Sequence, residues 1–136
     1  MREILFRGKD LQEQNGWLYG YFYKSDINKR ERESGKATLI FTPDCDTFIY
    51  VPEYHNSWMV KAETVGQYTG LKDKNGTRIF EGDIIEYEGE RYSINYLTRY
   101  ARFSAVKPKT VFCVFAYQCG EVIGNIHDNP ELLKGE

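Results

Sequence analysis

Tyrosine and phenylalanine are abundant in this chain, and most of them alternate with a period of two along short runs. Trp17, Tyr19, Tyr21 and Tyr23 fall on one side of a single run, and Tyr92, Ile94 and Tyr96 on one side of another. That period belongs to strands, whose successive side chains point to opposite faces, and aromatic rings suit a pleated surface. The pattern predicts strands at Glu3–Arg7, Trp17–Tyr23, Ala37–Thr42 and Thr47–Val51, then at Gly66–Lys72, Thr77–Phe80 and from Ile84 to Tyr87. Further strands are predicted at Arg91–Leu97, Arg102–Val106, Val111–Tyr117 and Glu121–Ile123. Residues 53–63 are irregular and read as a short helix or a connection, with Trp58 and Met59 closing one end of a core. Residues 28–36, NKRERESGK, hold no large apolar side chain and read as an exposed loop. Pro43 and Asp44 mark the turn of a hairpin between Phe41 and Phe48.

The turns are as legible as the strands. Asn75-Gly76 is a strong hairpin signal, because a two-residue primed turn needs positive φ at both central positions. Gly66 and Gly70 precede it, and Glu81-Gly82-Asp83 cuts the outgoing strand with a second turn. Asp83 is expected to accept backbone N–H bonds there, with Glu81 beside it organising the turn. Near the C-terminus Gly124 and Asn125 precede DNPELLKGE, which reads as one helical turn. Asn129 would be its N-cap, Pro130 its first residue and Glu131 the acid near its positive end. Leu132 and Leu133 would dock that turn onto a sheet. A boundary near 52–64 divides the chain into a β-rich half, 1–62, and a small-barrel half, 63–136, unless all 136 residues form one compact domain. The fold class expected is mostly β: two small, SH3-like or barrel-like modules with little helix.

Composition narrows the functions. A net charge of −2 does not make the whole molecule a polyanion binder. Three cysteines, Cys45, Cys113 and Cys119, are an odd number, unlike a secreted disulfide framework. The N-terminus lacks the apolar core of a signal peptide, and no run approaches the roughly 20 apolar residues of a spanning helix. A soluble, cytoplasmic protein is expected, without a membrane partner.

Four segments carry a family resemblance: REILFRGK at the start, GWLYGY from Gly16, VGQYTGLKDKNGTRIFEGDII from Val65, and VIGNIHDNPELL from Val122. On these residues, spread over nearly the full length, the chain resembles the YopX family of bacteriophage and prophage proteins. The resemblance implies a β-rich, oligomeric, phage-associated protein, and it brings no catalytic residues to transfer. The signature positions it marks are Gly66, Gly70, Asn75, Gly76, Glu81, Gly82, Asp83, Gly124, Asn125, Asn129 and Pro130. The charged loop 28–36 and the stretch 96–117 follow no family pattern.

Candidate chemistry is sparse. Neither His55 nor His127 stands at a ligand spacing from Cys113 or Cys119, and a structural zinc site needs four such ligands at close spacings. Buried, reduced thiols are the simpler expectation. Asp44-Cys45-Asp46, with Glu53 following, resembles a carboxylate cradle for Mg²⁺, but Asp in a turn more often bonds its own backbone. No phosphate loop, dinucleotide fingerprint or nucleophile elbow is present. No cofactor, metal or catalytic group is therefore assigned.

Charge is segregated along the chain. Glu81, Asp83, Glu86, Glu88 and Glu90 form an acidic block without a base, and Arg91, Arg99, Arg102, Lys107 and Lys109 a basic block without an acid. The basic block is interleaved with Tyr92, Tyr96, Tyr100 and Phe103. Adjacent strands of opposite sign can pair with each other, within a subunit or across an interface. Cations beside aromatic rings are also how single strands are gripped. The reading favoured is a non-enzymatic, homo-oligomeric protein that binds a host or phage macromolecule. The alternative is a single-stranded nucleic-acid binder using residues 91–109, chiefly Arg99, Tyr100, Arg102 and Phe103.

Overall fold

The structure, a computed structural model, describes residues 3–26, 46–107 and 119–134. It is mostly β, with ten strands and three short 3-10 turns among those residues. They divide into two compact units, residues 5–65 and residues 1–4 with 66–136. The strands expected at 37–42 and 111–117, the loop 28–36 and the Phe41–Phe48 turn lie outside the described residues.

In the first unit β1 (Phe6–Lys9), β2 (Trp17–Lys24), β3 (Thr47–Val51) and β4 (Asn56–Met59) form an antiparallel meander. β1 lies later than the expected 3–7, because its register pairs Phe6 with Gly20 and Lys9 with Trp17. β4 replaces the expected irregular stretch. Pro52–Tyr54 makes a 3-10 turn, His55 takes φ +50°, and the chain reverses into a strand alongside β3. Ile49 and Val51 on β3, Leu18 on β2 and Val60 fill the core, with Phe6, Phe22, Trp58 and Val65 packed around them. Trp58 thus closes a core as expected, but from within a strand.

The meander curls until its ends touch. Lys61 N–H donates to Lys9 O and Leu11 N–H to Met59 O, both at 2.9 Å, and Asp10 bridges Val60. Among the described residues this is curvature without a full closing ladder, so in place of the expected barrel they form a curled sheet. Gly20 allows the curl: a Cβ there would stand 1.9 Å from Tyr50 O. On the opposite face to the core, Tyr19, Tyr21 and Tyr23 are 46, 52 and 40% exposed. Tyr23 stacks on Phe48 with ring centroids 5.2 Å apart.

The second unit begins with the hairpin β5 (Gly66–Lys72) and β6 (Arg78–Phe80). Its turn differs from expectation. Gly76 has φ +83°, but Asn75 is not in the left-handed region. Gly76 N–H donates to Asp73 O at 3.0 Å and Asp73 N–H to Thr77 O at 2.8 Å, enclosing a three-residue loop with one left-handed glycine. The Asp73 carboxylate accounts for the change, because it accepts the N–H groups of both Asn75 (2.8 Å) and Thr77 (2.9 Å).

β7 (Asp83–Tyr87), β8 (Glu90–Leu97), β9 (Arg102–Val106) and β10 (Glu121–Asn125) form a four-stranded antiparallel sheet in the order β10-β7-β8-β9. Its core is Ile79, Ile85, Tyr92, Ile94 and Ala105. A bulge at 122–124 shifts the register of β10 on β7. No closed barrel is present among the described residues here either. The C-terminal turn Pro130–Leu133 is 3-10 rather than α-helical, and Asn129 does not cap it with its side chain. Its Oδ1 instead accepts from Asn125 N–H at 3.3 Å, tying the turn back to β10.

Candidate functional site

The signature residues assemble turns. Asp83 is buried, and its Oδ2 accepts Phe80 N–H at 2.7 Å across the Glu81-Gly82 turn. Gly82 has φ +94°, donates to Ile94 O at 2.8 Å and accepts from Ile126 N–H at 2.9 Å. Gly66 lets β5 pass the turn, since a Cβ there would meet Glu81 O at 2.5 Å. Gly70 sits at φ +91° in the irregular part of the β5–β6 ladder. Asn125 Oδ1 accepts the N–H groups of His127 (3.0 Å) and Asp128 (2.9 Å), shaping the loop that precedes Pro130.

Asp73, which no spacing in the sequence marks, accepts three backbone N–H groups. Besides Asn75 and Thr77 it accepts Val122 N–H at 2.9 Å, joining the β5–β6 turn to β10. Burial alone would push its pKa up, but the N–H groups of Val122, Thr77 and Asn75, with Lys74 nearby, outweigh it and hold the acid below its usual value. Asp10 plays a comparable part in the β1–β2 loop, accepting from Gln12 N–H at 3.2 Å and from Asn15 N–H at 3.0 Å and Nδ2 at 2.9 Å.

Thiol and metal candidates do not converge. Cys45, Cys113 and Asp44 lie outside the described residues. Cys119 is exposed rather than packed, because it lies in the turn that leads into β10. The Glu88 carboxylate, then burial and the Cys119 thiol, raise the pKa of the Tyr87 phenol above its ordinary value, keeping it neutral. Asp46 is exposed just before β3 and accepts the Thr47 hydroxyl at 2.9 Å. Among the described residues no three His, Cys, Asp or Glu side chains stand where they could share a metal ion.

The basic block separates into two kinds of cation. Arg91 lies directly across from Glu86 in the β7–β8 register and pairs with it at 3.5 Å, and it also donates to Leu132 O at 3.0 Å. Lys107 is bonded to Glu90. These two are neutralised within the unit by carboxylates of β7 and β8. Arg99 and Arg102 carry no such carboxylate among the described residues. Arg99 lies in the β8–β9 hairpin tip and Arg102 directly after it, with guanidinium carbons 5.8 and 5.2 Å from the centroid of the Tyr100 ring. The four-residue tip is turned by Ala101 at φ +51°, and Tyr100 N–H donates to Leu97 O at 3.0 Å. Tyr96 and Phe103, paired across the hairpin, meet edge to face at 5.1 Å. Beside them opens a groove of ≈ 530 Å³, lined by Tyr96, Ala101, Arg102 and Phe103 on one side and by Gln67, Thr69 and Glu81 on the other. Lys109 lies outside the described residues.

A second cleft, of ≈ 430 Å³, opens at one end of the curled sheet in the first unit. Trp17 and Leu18 of β2, Tyr54 of the β3–β4 connection, Asn56 and Trp58 of β4, and Asn15 line it. No spacing in the sequence announces it, because its residues come from two connections and two strands.

Among curated proteins none matches the chain. Among solved structures, protein EF1440 from Enterococcus faecalis resembles it with a TM-score of 0.53 and 27% sequence identity, over 98% of this chain and 100% of that one. The family model described as YopX protein matches residues 5–134. With nearly its whole length matched, the chain belongs to the YopX family.

Proposed function

We propose that this chain is a non-enzymatic binding protein whose contact surface is the β8–β9 hairpin tip, and that its ligand is single-stranded nucleic acid. The observation that carries the reading is the division of the basic block. Arg91 and Lys107 are bonded to Glu86 and Glu90, whereas Arg99 and Arg102 stand around an exposed Tyr100 without a carboxylate. Cations that pair internally serve the sheet, and cations left beside an exposed ring serve a ligand. Phosphates would run along the arginine rim and bases would stack on Tyr100 and Tyr96, at about 1–3 kcal/mol for each stacked base. Glu81 on the far wall of the groove keeps phosphate to the arginine side. The carboxylates best placed for chemistry, Asp73 and Asp83, are already committed to backbone N–H groups.

Fluorescence anisotropy of a labelled oligothymidylate and an oligouridylate tests this. Binding is expected at low ionic strength, with log K falling by about 0.7 per tenfold rise in salt for every phosphate contacted. Arg99→Ala and Arg102→Ala should each weaken binding and flatten that slope by roughly 0.7. An unchanged slope in both variants, or no binding at low salt, ends the proposal.

Self-association is the second reading. The exposed Tyr19, Tyr21 and Tyr23 stripe favours it, because tyrosine is enriched where protein surfaces meet. Light scattering on size-exclusion fractions should then show an oligomer that Tyr21→Glu disperses.

A further inference from the structure

A cleft opens at the mouth of the curled sheet in the first unit, and its lining differs in chemistry from that of the groove beside the hairpin tip. Sites at the ends of curved sheets are usual places for small ligands, where a few polar groups fix orientation against apolar walls. Here the walls are Trp17, Tyr54 and Trp58, and the polar groups are the side-chain amides of Asn15 and Asn56. Tyr54 is 61% exposed, and its ring meets that of Trp58 at 81° with centroids 5.9 Å apart, making a corner.

The unspent hydrogen-bonding groups are of both kinds. Asn15 commits its Nδ2 to Asp10 and leaves Oδ1 as an acceptor. Asn56 commits its Oδ1 to Ser57 N–H and leaves Nδ2 as a donor. The Trp58 indole N–H is a second donor without a hydrogen bond. His55, between Tyr54 and Asn56, holds the left-handed φ of +50° that reverses the chain there. Backbone strain of that kind gathers at ligand sites.

We infer that this cleft binds an uncharged, hydroxylated ring: a saccharide unit. No formally charged side chain lines it among the described residues, so an ionic ligand would go unpaired. A cation is further disfavoured, because the Arg7 guanidinium already lies 4.7 Å from the Trp17 ring centroid. A flat base sandwiched between rings needs two parallel faces, and the corner offers perpendicular ones. An all-proline strand presents carbonyl acceptors alone and offers Asn15 Oδ1 no donor, whereas hydroxyls both donate and accept. A sugar ring can lay its C–H face on one wall and turn its hydroxyls to the two amides and the indole.

The test is tryptophan fluorescence of the full chain titrated with neutral oligosaccharides: maltotriose, cellotriose and chitotriose. Saturable quenching by at least one is expected, weakened at least about tenfold by Tyr54→Ala and by Asn56→Ala. Both positions are exposed, so circular dichroism should show each variant folded, and Arg99→Ala should bind the sugar as the parent does. The inference is overturned if none of the three saturates. It also fails if the two variants bind as the parent does, or if an octaproline peptide or oligothymidylate displaces the sugar.

Discussion

Asp73 satisfies three backbone N–H groups from two separate elements, and its charge is the reason it can. An asparagine there would keep one carbonyl oxygen and turn an NH₂ group toward at least one donor. Asp73→Asn should therefore cost about 2 kcal/mol at neutral pH, read from urea unfolding. Because the folded-state pKa is depressed, the stabilisation is present above the unfolded-state value and is lost as pH falls through the folded one. The parent should lose stability below about pH 4, and the Asp73→Asn curve should be flatter there; parallel curves would refute the assignment. Two glycines test different physics at the same scale. Gly76 has φ +83° and open space around it, so Gly76→Ala should cost only the backbone strain, about 1 kcal/mol. At Gly66 a Cβ would stand 2.5 Å from the backbone oxygen of Glu81, so Gly66→Ala should cost more, about 2–3 kcal/mol. Thermal denaturation of the pair gives the order, and its reversal would contradict the close approach at Gly66.

At the scale of elements, the β8–β9 hairpin has a tip whose last residue is strained. Ala101 at φ +51° occupies a region that glycine enters freely. Ala101→Gly should leave the hairpin in place and raise stability by up to about 1 kcal/mol, measured by chemical denaturation. Loss of stability would mean that the Ala101 side chain, which lines the groove, contributes more than its backbone costs. Strands were readable wherever period two was unbroken, as in Trp17–Lys24 and Arg102–Val106. β4 was not, because Asn-Ser-Trp-Met has no alternation and follows a reversal at His55, a residue not associated with turns. The Asn75-Gly76 dipeptide marks the place of the turn but not its type, which the carboxylate of Asp73 sets. The site was legible to the same degree. Composition marked residues 91–109 as basic and aromatic. Only the register, which places Arg91 opposite Glu86, tells which cations are already paired. The aromatic cleft required the β3–β4 connection, which the sequence pattern did not resolve.

Over the whole molecule, charge has two roles that salt should separate. The ion pairs Lys61–Glu13, Arg78–Glu3, Arg91–Glu86 and Lys107–Glu90 all have side chains at least 30% exposed. Exposed pairs contribute about 0–1 kcal/mol each and are screened over roughly 8 Å at physiological ionic strength. Stability rests instead on two apolar cores, around Ile49 in one unit and Ile94 in the other, which salt does not weaken. Raising salt from about 0.05 to 0.5 M should leave the melting temperature nearly unchanged, while affinity for a single strand falls by orders of magnitude if several phosphates are held. Differential scanning calorimetry and anisotropy on the same samples measure both. A melting temperature that falls in step with affinity would mean that ion pairs, rather than the two cores, hold the fold. A flat melting temperature with collapsing affinity would separate the charges that hold a ligand from the apolar packing that holds the sheets.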